Sequence, residues 1–261
     1  MPFYESGAIK YYRFTSFENQ GLYHAIFTRH GGFSPTPWQS LNFGASVGDN
    51  LDRVIQNRET ALSSLQIKPD SVFDVYQVHS AIIVKTDRPL RPNDAHIKAD
   101  AILTKQPDVT LMMRFADCVP ILLFDPVNRA IAIVHAGWNG TVDKIAGKSI
   151  LDMVANYGTN PKDIIAAIGP SICPDHYSVG KDVLDRVHTS FGEKAEQIIV
   201  NKHDKSYFDL WKANQIALSE VGVSKIEISN ICTCCNLKDW YSHRGEHGKT
   251  GRFGVIFGLN Q

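Results

Sequence analysis

Hydrophobic and polar positions along the chain divide it into short apolar runs and longer stretches with helical spacing. The apolar runs predict strands at YHAIFT (23–28), VFDVYQVH (72–79), AIIVKT (81–86), DAILT (100–104), VTLMMRF (109–115), VPILLF (119–124), RAIAIVHA (129–136), IIAAIG (164–169), KIEIS (225–229) and GVIFGL (254–259). Helical spacing predicts helices at LDRVIQNRETALSSLQ (51–66), DKIAGKSILDMVANYG (143–158), KDVLDRVHTSFG (181–192) and DLWKANQIALSEVG (209–222). Asp49 or Asn50 is placed to cap the first helix, and Gly158 to end the second.

Strands and helices follow one another in mixed order, and the strands between residues 100 and 136 are close enough in sequence to form hairpins. This order favours a mixed sheet in an α+β protein over a purely parallel, doubly wound sheet. The sequence shows no internal repeat and no low-complexity linker. We therefore predict a single domain over residues 1–261, in which helices flank a mixed β-sheet.

The overall charge narrows the range of partners. Lysine plus arginine number 27 and aspartate plus glutamate also number 27, so the formal net charge is zero. Binding to nucleic acid or to an anionic membrane surface needs a basic excess, so we predict neither partner. The longest apolar run falls short of the roughly 20 residues of a membrane span, and the first residues lack a signal-peptide pattern. Five cysteines, three of them crowded together, are a poor disulfide framework, so we expect a cytoplasmic protein. We predict no obligate protein partner.

Three side chains able to bind a metal stand at the ends of predicted strands: His79, Cys118 and His135. Two imidazoles and one thiolate suit zinc, and three protein ligands leave a fourth position open for water or substrate. The same donors also accept copper. The long spacing between them equally fits a buried cysteine and two histidines that bond the backbone. Asp117 favours the metal site, because an acid in an apolar setting needs a partner or a task.

A second group of cysteines lies in ICTCCN (231–236), with His243 and His247 nearby. C-x-C-C is a poor spacing for a zinc knuckle. We interpret these cysteines as free thiols and Cys173 as a structural residue.

Motifs in the same order along nearly the whole chain resemble the bacterial YfiH/YlmD-type family. Its members are called laccase-domain or polyphenol oxidase proteins and are described as multifunctional purine nucleoside enzymes. The matching motifs are TRHGGFS (28–34), LNFGASVGD (41–49), NR (57–58), QVH (77–79), ADAILT (99–104), ADCVPILLFDP (116–126), HAGWNGT (135–141), AIGPSIC (167–173) and TGRFG (250–254). The chain departs from the family pattern at Ser80, where glycine is common, and at Asn139, where arginine is common.

The resemblance implies zinc held by His79, Cys118 and His135. It implies an α+β fold distantly like that of the catalytic domain of cytotoxic necrotizing factor toxins. The implied activities are phosphorolysis of adenosine, inosine, guanosine and methylthioadenosine, together with deamination of adenosine. Another line in the family implies peptidoglycan editing, the removal of a wrongly incorporated amino acid from a cell-wall precursor.

The residues favour some of these activities over others. A true multicopper oxidase is disfavoured, because the ten histidines include no H-x-H pair. For deamination we predict Asp117 as the general acid/base, with the orientation of a histidine ligand as its alternative role. A competing hypothesis for peptidoglycan hydrolysis makes Cys118 a nucleophile with His135 as its base. A metal-binding protein without catalytic activity is the remaining alternative.

Phosphorolysis needs a phosphate site, which arginine side chains and backbone N–H groups commonly provide. We predict phosphate contacts from Arg29, beside His30 in the glycine turn, and from Arg244 and Arg252 in the basic segment near the C-terminus. Asn42 and Asp49 are predicted to shape the nucleoside pocket. The predicted substrates are thus a purine nucleoside and phosphate.

Overall fold

The computed structural model describes residues 2–91 and 94–260. The helices in these ranges are α1 (Leu51–Ser63), α2 (Trp138–Val142), α3 (Ile145–Tyr157), α4 (Lys181–Phe191) and α5 (Leu210–Glu220). The strands are β1 (Phe3–Ser6), β2 (Ile9–Tyr12), β3 (Leu22–Phe27), β4 (Val72–Asp74), β5 (Ile83–Lys85), β6 (Ala101–Thr104), β7 (Thr110–Phe115), β8 (Val119–Asp125), β9 (Ala130–Ala136), β10 (Ile165–Ile168), β11 (Ser178–Val179), β12 (Ile199–Lys202), β13 (Lys205–Phe208), β14 (Lys225–Ile228) and β15 (Phe253–Leu259). Among them, no helix is long and apolar enough to cross a membrane.

Most strands belong to two six-stranded sheets. The first has the order β1-β2-β3-β15-β7-β4 and the second β14-β10-β8-β9-β6-β5, while β11-β13-β12 form a small third sheet. Both large sheets are mixed, because β4 and β5 pair in parallel with β7 and β6 whereas the central pairs are antiparallel. The α+β class with mixed strand order is therefore confirmed. The strands divide between two large sheets, however, where the sequence suggested one.

The two large sheets pack face to face. Phe115 and Phe253 of the first sheet share a core with Leu122 and Ile133 of the second. Helices α3 and α5 cover the outer face of the second sheet, and α1 covers that of the first. Strands β8 and β9 are buried at every position because both of their faces are covered, which explains their continuous apolar sequences. The shared core supports the single-domain interpretation of residues 1–261, which stays a prediction.

The predicted capping residues Asn50 and Gly158 agree with the structure, although α1 ends at Ser63, before the predicted residue 66. Asn50 caps α1, where its side chain accepts a hydrogen bond from the Arg53 backbone N–H at 3.1 Å. Gly158 ends α3 in the left-handed conformation, with φ of 71°. The N-terminal strands β1 and β2 and the hairpin β12–β13 have no counterpart among the predicted elements. Strands β1, β12 and β13 are short and partly exposed, and β2 is a mostly buried strand of four residues interrupted by Lys10, so none has a clear apolar run.

Two predictions about the strands are wrong: where the strand after residue 72 ends, and that neighbouring strands β7 and β8 form a hairpin. The strand predicted over 72–79 ends at Asp74, and His79 lies in the loop that follows, with φ of 59°. Strands β7 and β8 do not pair with each other, since β7 belongs to the first sheet and β8 to the second. Residues 116–118 therefore cross from one sheet to the other, and Asp117 takes a left-handed φ of 81° in that crossing.

Candidate metal centre

The structure brings His79, Cys118 and His135 together, with one donor atom of each within 4.8 Å of the others. They come from the loop after β4, the crossing between the sheets, and the end of β9. Exposure falls across the three, since His79 is exposed, Cys118 is half-buried and His135 is buried. The centre is thus anchored in the sheet at His135 and accessible to solvent at His79.

Asp100 organises this centre from a fully buried position. Its carboxylate accepts a hydrogen bond from His135 Nδ1 at 2.8 Å and from the His79 backbone N–H at 3.0 Å. The Ser80 backbone N–H and hydroxyl donate to its second oxygen at 2.6 and 2.7 Å. Burial acts to raise the pKa of Asp100, but the bonds from His135 and Ser80 outweigh it and hold the pKa at about 2. An ionised carboxylate on Nδ1 leaves Nε2 of His135 as the nitrogen available to a metal.

The sequence analysis did not single out Asp100. Its signal was an acid at the first position of the predicted strand DAILT (100–104), inside the family motif ADAILT. Asp100 also explains why residues 78–80 do not belong to the strand predicted over 72–79. The backbone N–H groups of Val78, His79 and Ser80 turn towards its carboxylate, so they are not available to a sheet. Ser80, one of the two departures from the family pattern, adds the hydroxyl bond that glycine lacks.

Charges at the centre favour the ligand form of the thiol. Burial acts to raise the pKa of Cys118, but the neighbouring imidazolium of His135 outweighs burial and lowers the pKa to about 6. Burial in turn lowers the pKa of His135, but the Cys118 thiolate and Asp100 raise it to about 9. The geometry therefore stabilises a thiolate at Cys118, and a thiolate is the form of cysteine that binds metals.

Gly137, directly after β9, leaves open the space beside the donors. A Cβ at this position would stand 3.1 Å from His79 Cδ2 and 3.2 Å from Cys118 Sγ. With a φ of −71°, the backbone here does not itself require glycine, so the requirement is for space. Two imidazoles, a stabilised thiolate and an uncrowded cradle fit a zinc ion.

Asp117 has protein partners on both carboxylate oxygens. Oδ1 accepts a hydrogen bond from the Thr233 hydroxyl at 2.7 Å, and Oδ2 accepts one from the Arg244 backbone N–H at 2.6 Å. Its own carbonyl accepts a bond from the Ile172 backbone N–H at 3.0 Å. These contacts favour a positioning role over the predicted proton transfer, because the carboxylate ties three segments together beside Cys118.

Arg244 and Arg252 lie beside the centre. The Arg244 guanidinium sits over the Tyr177 ring at 5.1 Å and donates to the His176 and Ser178 carbonyls. The pKa of Tyr177 is raised by burial and further by the charges of Cys118 and Asp117. The Arg244 backbone N–H bonds Asp117, which adjoins Cys118, so the Arg244–Tyr177 pair lies near the thiol.

The Arg252 side chain is half-buried. Its guanidinium donates to the Thr250 and Gly251 carbonyls, at 3.4 and 2.9 Å. Burial lowers its pKa, while the negative charges of Cys118 and Asp117 act to raise it. No acid of the described ranges lies within salt-bridge distance of Arg252, so its charge has no carboxylate partner there.

Arg29 and His30 support the segment that carries these arginines. The Arg29 guanidinium donates to the Gln39 and Leu237 carbonyls and pairs with Glu246 at 3.0 Å. His30 Nε2 lies 2.8 Å from Asp239 Oδ1. The structure therefore gives both residues protein partners where the sequence predicted phosphate.

Asn42 and Asp49 belong to a buried network. Asn42 Nδ2 donates to Asp49 Oδ2 at 2.9 Å, and the Ser34 hydroxyl donates to the same oxygen at 2.5 Å. Asn42 Oδ1 accepts from the Arg252 backbone N–H at 2.9 Å. These bonds hold the backbone of Arg252 in place. The role of Asn42 and Asp49 in shaping a nucleoside pocket stays a prediction.

Position 139 carries asparagine where the family commonly has arginine, and the side chain of Arg186 contacts this asparagine. Arg186 of α4 donates to Asn139 Oδ1 at 2.5 Å and to Asp143 Oδ1 at 2.9 Å. Its guanidinium also lies over the Trp138 ring at 5.1 Å. A cation from another element therefore stands against position 139.

The structure also assembles a cluster that the sequence analysis missed. Donor atoms of Cys173, His176, Cys232 and Cys235 lie within 4.8 Å of one another. All five cysteines are free thiols, which agrees with the sequence interpretation, but three of them share a single location. Cys232 and Cys235 form a C-x-x-C pair inside ICTCCN, and this was the signal that C-x-C-C obscured.

Comparisons with known proteins show similarity over most of the chain. A family model described as multi-copper polyphenol oxidoreductase laccase matches residues 23–260. A purine nucleoside phosphorylase of Deinococcus radiodurans is 34% identical, over 92% of this chain and 90% of that protein. The purine nucleoside phosphorylase YlmD of Bacillus subtilis is 33% identical, over 95% and 92%. The crystal structure of YlmD from Geobacillus stearothermophilus superposes with a TM-score of 0.92 at 31% identity, covering 100% of this chain and 99% of that one.

Proposed function

The chain belongs to the laccase-domain family of YfiH/YlmD-type proteins, and from that membership we propose that it is a purine nucleoside phosphorylase acting at the His79–Cys118–His135 centre. Relatives similar to it over most of their length carry the name purine nucleoside phosphorylase. The observation that carries the proposal is an open three-ligand centre with Arg244 and Arg252 beside it.

The proposed metal is zinc, held by His79, Cys118 and His135. When bound, it would supply a Lewis acid at the solvent-accessible side of the centre. Asp100 orients His135, and Gly137 keeps the donors uncrowded. A multicopper oxidase is a poor alternative, because the metal-binding clusters among the described residues contain at most two histidines each.

The two arginines would hold phosphate. Arg252 brings a partly desolvated charge that has no carboxylate partner among residues 2–91 and 94–260, and such a charge gains most from a phosphate oxygen. In phosphorolysis a phosphate oxygen bonds C1′ of the ribose, and the bond from C1′ to the purine nitrogen breaks. The purine leaves with that electron pair and takes up a proton. Arg244 and Arg252 would bring the nucleophilic phosphate against the nucleoside and offset its negative charge.

We further propose that adenosine, inosine, guanosine and methylthioadenosine are the phosphorolysis substrates, and that adenosine deamination is a second activity. One observation favours a different reaction. The Cys118 thiol, its pKa lowered by His135, has the charge state of a cysteine nucleophile. Hydrolysis of a peptidoglycan precursor through Cys118 is therefore the second candidate function. It requires the thiolate to be free of metal, so metal occupancy distinguishes the two.

Product analysis tests the proposal. Zinc-loaded protein is incubated with adenosine, with and without phosphate, and the products are separated by chromatography. We expect adenine and ribose 1-phosphate only with phosphate, and inosine in either case. Cys118→Ala should abolish every product. Arg252→Met should raise the KM for phosphate at least tenfold, whereas Arg53→Met, an exposed arginine on α1, should not change it.

Failure of the proposal has a clear form. If folded, zinc-loaded protein forms no product from any of the four nucleosides with phosphate, the phosphorylase assignment is wrong. Cleavage of a peptidoglycan precursor by metal-free protein, lost in Cys118→Ala, would then support the second candidate.

A further inference from the structure

A second set of metal-binding side chains lies outside the centre described above. It consists of Cys173, His176, Cys232 and Cys235, whose donor atoms are within 4.8 Å of one another. We propose that these four residues form a second zinc site, closed and structural. In sequence they are two short pairs, C-x-x-H at 173–176 and C-x-x-C at 232–235. A gap of two residues is typical of paired cysteine ligands in zinc sites.

The distances around His176 fit a tetrahedral ion. Its Nδ1 lies 3.4 Å from Cys173 Sγ, 3.8 Å from Cys232 Sγ and 3.5 Å from Cys235 Sγ. Zinc bonds of about 2.3 Å to sulfur and about 2.0 Å to nitrogen, at tetrahedral angles, put nitrogen and sulfur roughly 3.5 Å apart. Hydrogen bonding does not explain the arrangement, because Nδ1 carries at most one proton and faces three sulfurs.

The backbone around Cys232 suits a thiolate. The Cys173 backbone N–H donates to Cys232 Sγ at 3.3 Å, and the Cys235 backbone N–H donates to the same sulfur at 3.4 Å. Two donors on one sulfur stabilise negative charge there. Neutral thiols accept hydrogen bonds weakly, so this geometry favours a charged ligand atom.

Both ligand segments are held in place by contacts within the protein. Residues 174–176 form a turn of 3₁₀ helix that begins with Pro174, which fixes the spacing of Cys173 and His176. Ser171 pairs with Cys232 in an isolated bridge, and the Asn236 side chain donates to the Cys232 carbonyl at 2.8 Å. The donors are therefore preorganised by backbone contacts, which reduces the entropy lost on binding.

The ligand count distinguishes this site from the first. Four protein donors fill the tetrahedron, as in structural zinc sites, whereas three leave a position open for chemistry. A disulfide is a poorer use of the cluster, since any pairing leaves one of three converging sulfurs unpaired, and all five cysteines are free. We therefore assign the cluster a structural role and no chemical step.

The site would stabilise the surroundings of the first centre. Thr233, next to Cys232, donates to Asp117, and Asp117 adjoins Cys118. The His176 carbonyl accepts a bond from the Arg244 guanidinium at 3.3 Å. A metal joining residues 173–176 to residues 232–235 would fix both contacts. This role does not depend on which reaction the first centre catalyses.

Zinc counting tests the proposal. Full-length protein produced with added zinc is dialysed against a weak chelator, and bound zinc is measured by native mass spectrometry and elemental analysis. We expect two zinc ions per parent chain and one in the His79→Ala, Cys118→Ser double variant, which removes the first site. Cys235→Ser should also hold one. Cys234→Ser, which changes the neighbouring thiol outside the cluster, should hold two.

A cobalt spectrum checks the ligands without relying on Cys235→Ser. Cobalt-loaded His79→Ala, Cys118→Ser protein should show sulfur-to-metal charge-transfer absorption and tetrahedral d–d bands. In that background His176→Cys should keep one metal ion with a spectrum of four thiolates. The proposal is overturned if the folded double variant binds neither zinc nor cobalt, or if Cys235→Ser folds and still binds two zinc ions.

Discussion

At the scale of single residues, the candidate centre depends on one buried acid that binds no metal itself. Asp100 fixes the tautomer of His135 and the loop geometry of His79 with one carboxylate. Two of the three proposed ligands are thus positioned by a residue between them in sequence. An ionised group at 0% exposure is stable here because five described donors surround it.

Asp100→Asn tests this dependence. The amide keeps the volume but loses the charge and presents N–H groups to donors, so His135 loses its orientation. We expect zinc affinity at the first centre to fall by about 10- to 100-fold. Competition with a fluorescent chelator measures the change. Asp125→Asn, another fully buried acid that caps the turn after β8, is the matched control. Equal zinc affinity in the Asp100 and Asp125 variants would contradict the assignment.

At the scale of elements, the segment from Ser242 to Arg252 carries both candidate phosphate ligands and has little regular structure. It is held at three points: Glu246 by Arg29, the Arg244 backbone by Asp117, and the Arg252 backbone by Asn42. The motifs at 28–34 and 41–49 therefore act through this segment. Arg29 and Asn42 of these motifs thus support the segment that carries the candidate phosphate ligands.

Glu246→Gln should loosen the segment. Glu246 pairs with Arg29 and also accepts hydrogen bonds from the Ser242 backbone N–H at 3.1 Å and the Thr250 hydroxyl at 2.6 Å. We expect kcat/KM for nucleoside and phosphate to fall about tenfold while bound zinc is unchanged, since no metal ligand is touched. Steady-state kinetics and zinc analysis measure both quantities, with the exposed Glu193→Gln as control. A parallel loss of zinc would show that the segment is coupled to the metal.

The turn between β9 and α2 gives a second test at this scale. Gly137→Ala would push a methyl group towards His79 and Cys118, at 3.1 and 3.2 Å, so we expect weaker zinc binding with little loss of fold stability. Gly158→Ala has free space but a φ of 71°, so it should cost about 1 kcal/mol of stability and leave zinc binding unchanged. Urea unfolding and zinc competition measure the two effects. Identical behaviour of both variants would contradict the steric explanation.

At the scale of the whole molecule, acid stability depends on a histidine in the central core. His24 accepts a hydrogen bond from the Phe14 backbone N–H at 2.7 Å and packs against Phe17 and Phe257. Burial, with a smaller contribution from the nearby Arg13 charge, lowers the pKa of His24 from 6.5 to about 3. The unfolded chain therefore binds this proton below pH 6.5 while the folded chain does not. Stability present above pH 6.5 is lost as the pH falls towards 3.

His24→Gln should flatten this dependence. The parent loses up to about 1.4 kcal/mol per pH unit from this group between pH 6 and pH 4, and the variant should lose correspondingly less. The variant is expected to be less stable at pH 7, because its amide fits the aromatic cluster poorly. Urea denaturation across that pH range measures the slope, with the exposed His188→Gln as control. Parallel slopes for the parent and His24→Gln would contradict this account.

The sequence predicted those elements whose structure is determined by residues close to them along the chain. Strands β8 and β9 were clear because both faces are buried, and α1 and α3 because their caps lie next to them in sequence. The loop at His79 was not predicted, because the carboxylate that shapes it lies 21 residues away in sequence. The second cluster escaped for the same reason, because His176 and Cys232 are 56 residues apart. The division of strands into two sheets likewise depends on long-range packing.

The left-handed backbone at Asp117 restricts which amino acids are tolerated at that position. A φ of 81° admits glycine, asparagine and aspartate with little strain and penalises nearly every other residue. Of these three, glycine offers no acceptor to Thr233 or Arg244, and asparagine retains only one oxygen where two donors approach. A library randomised at codon 117 and selected for function should therefore return aspartate almost alone, with asparagine as the sole partial survivor.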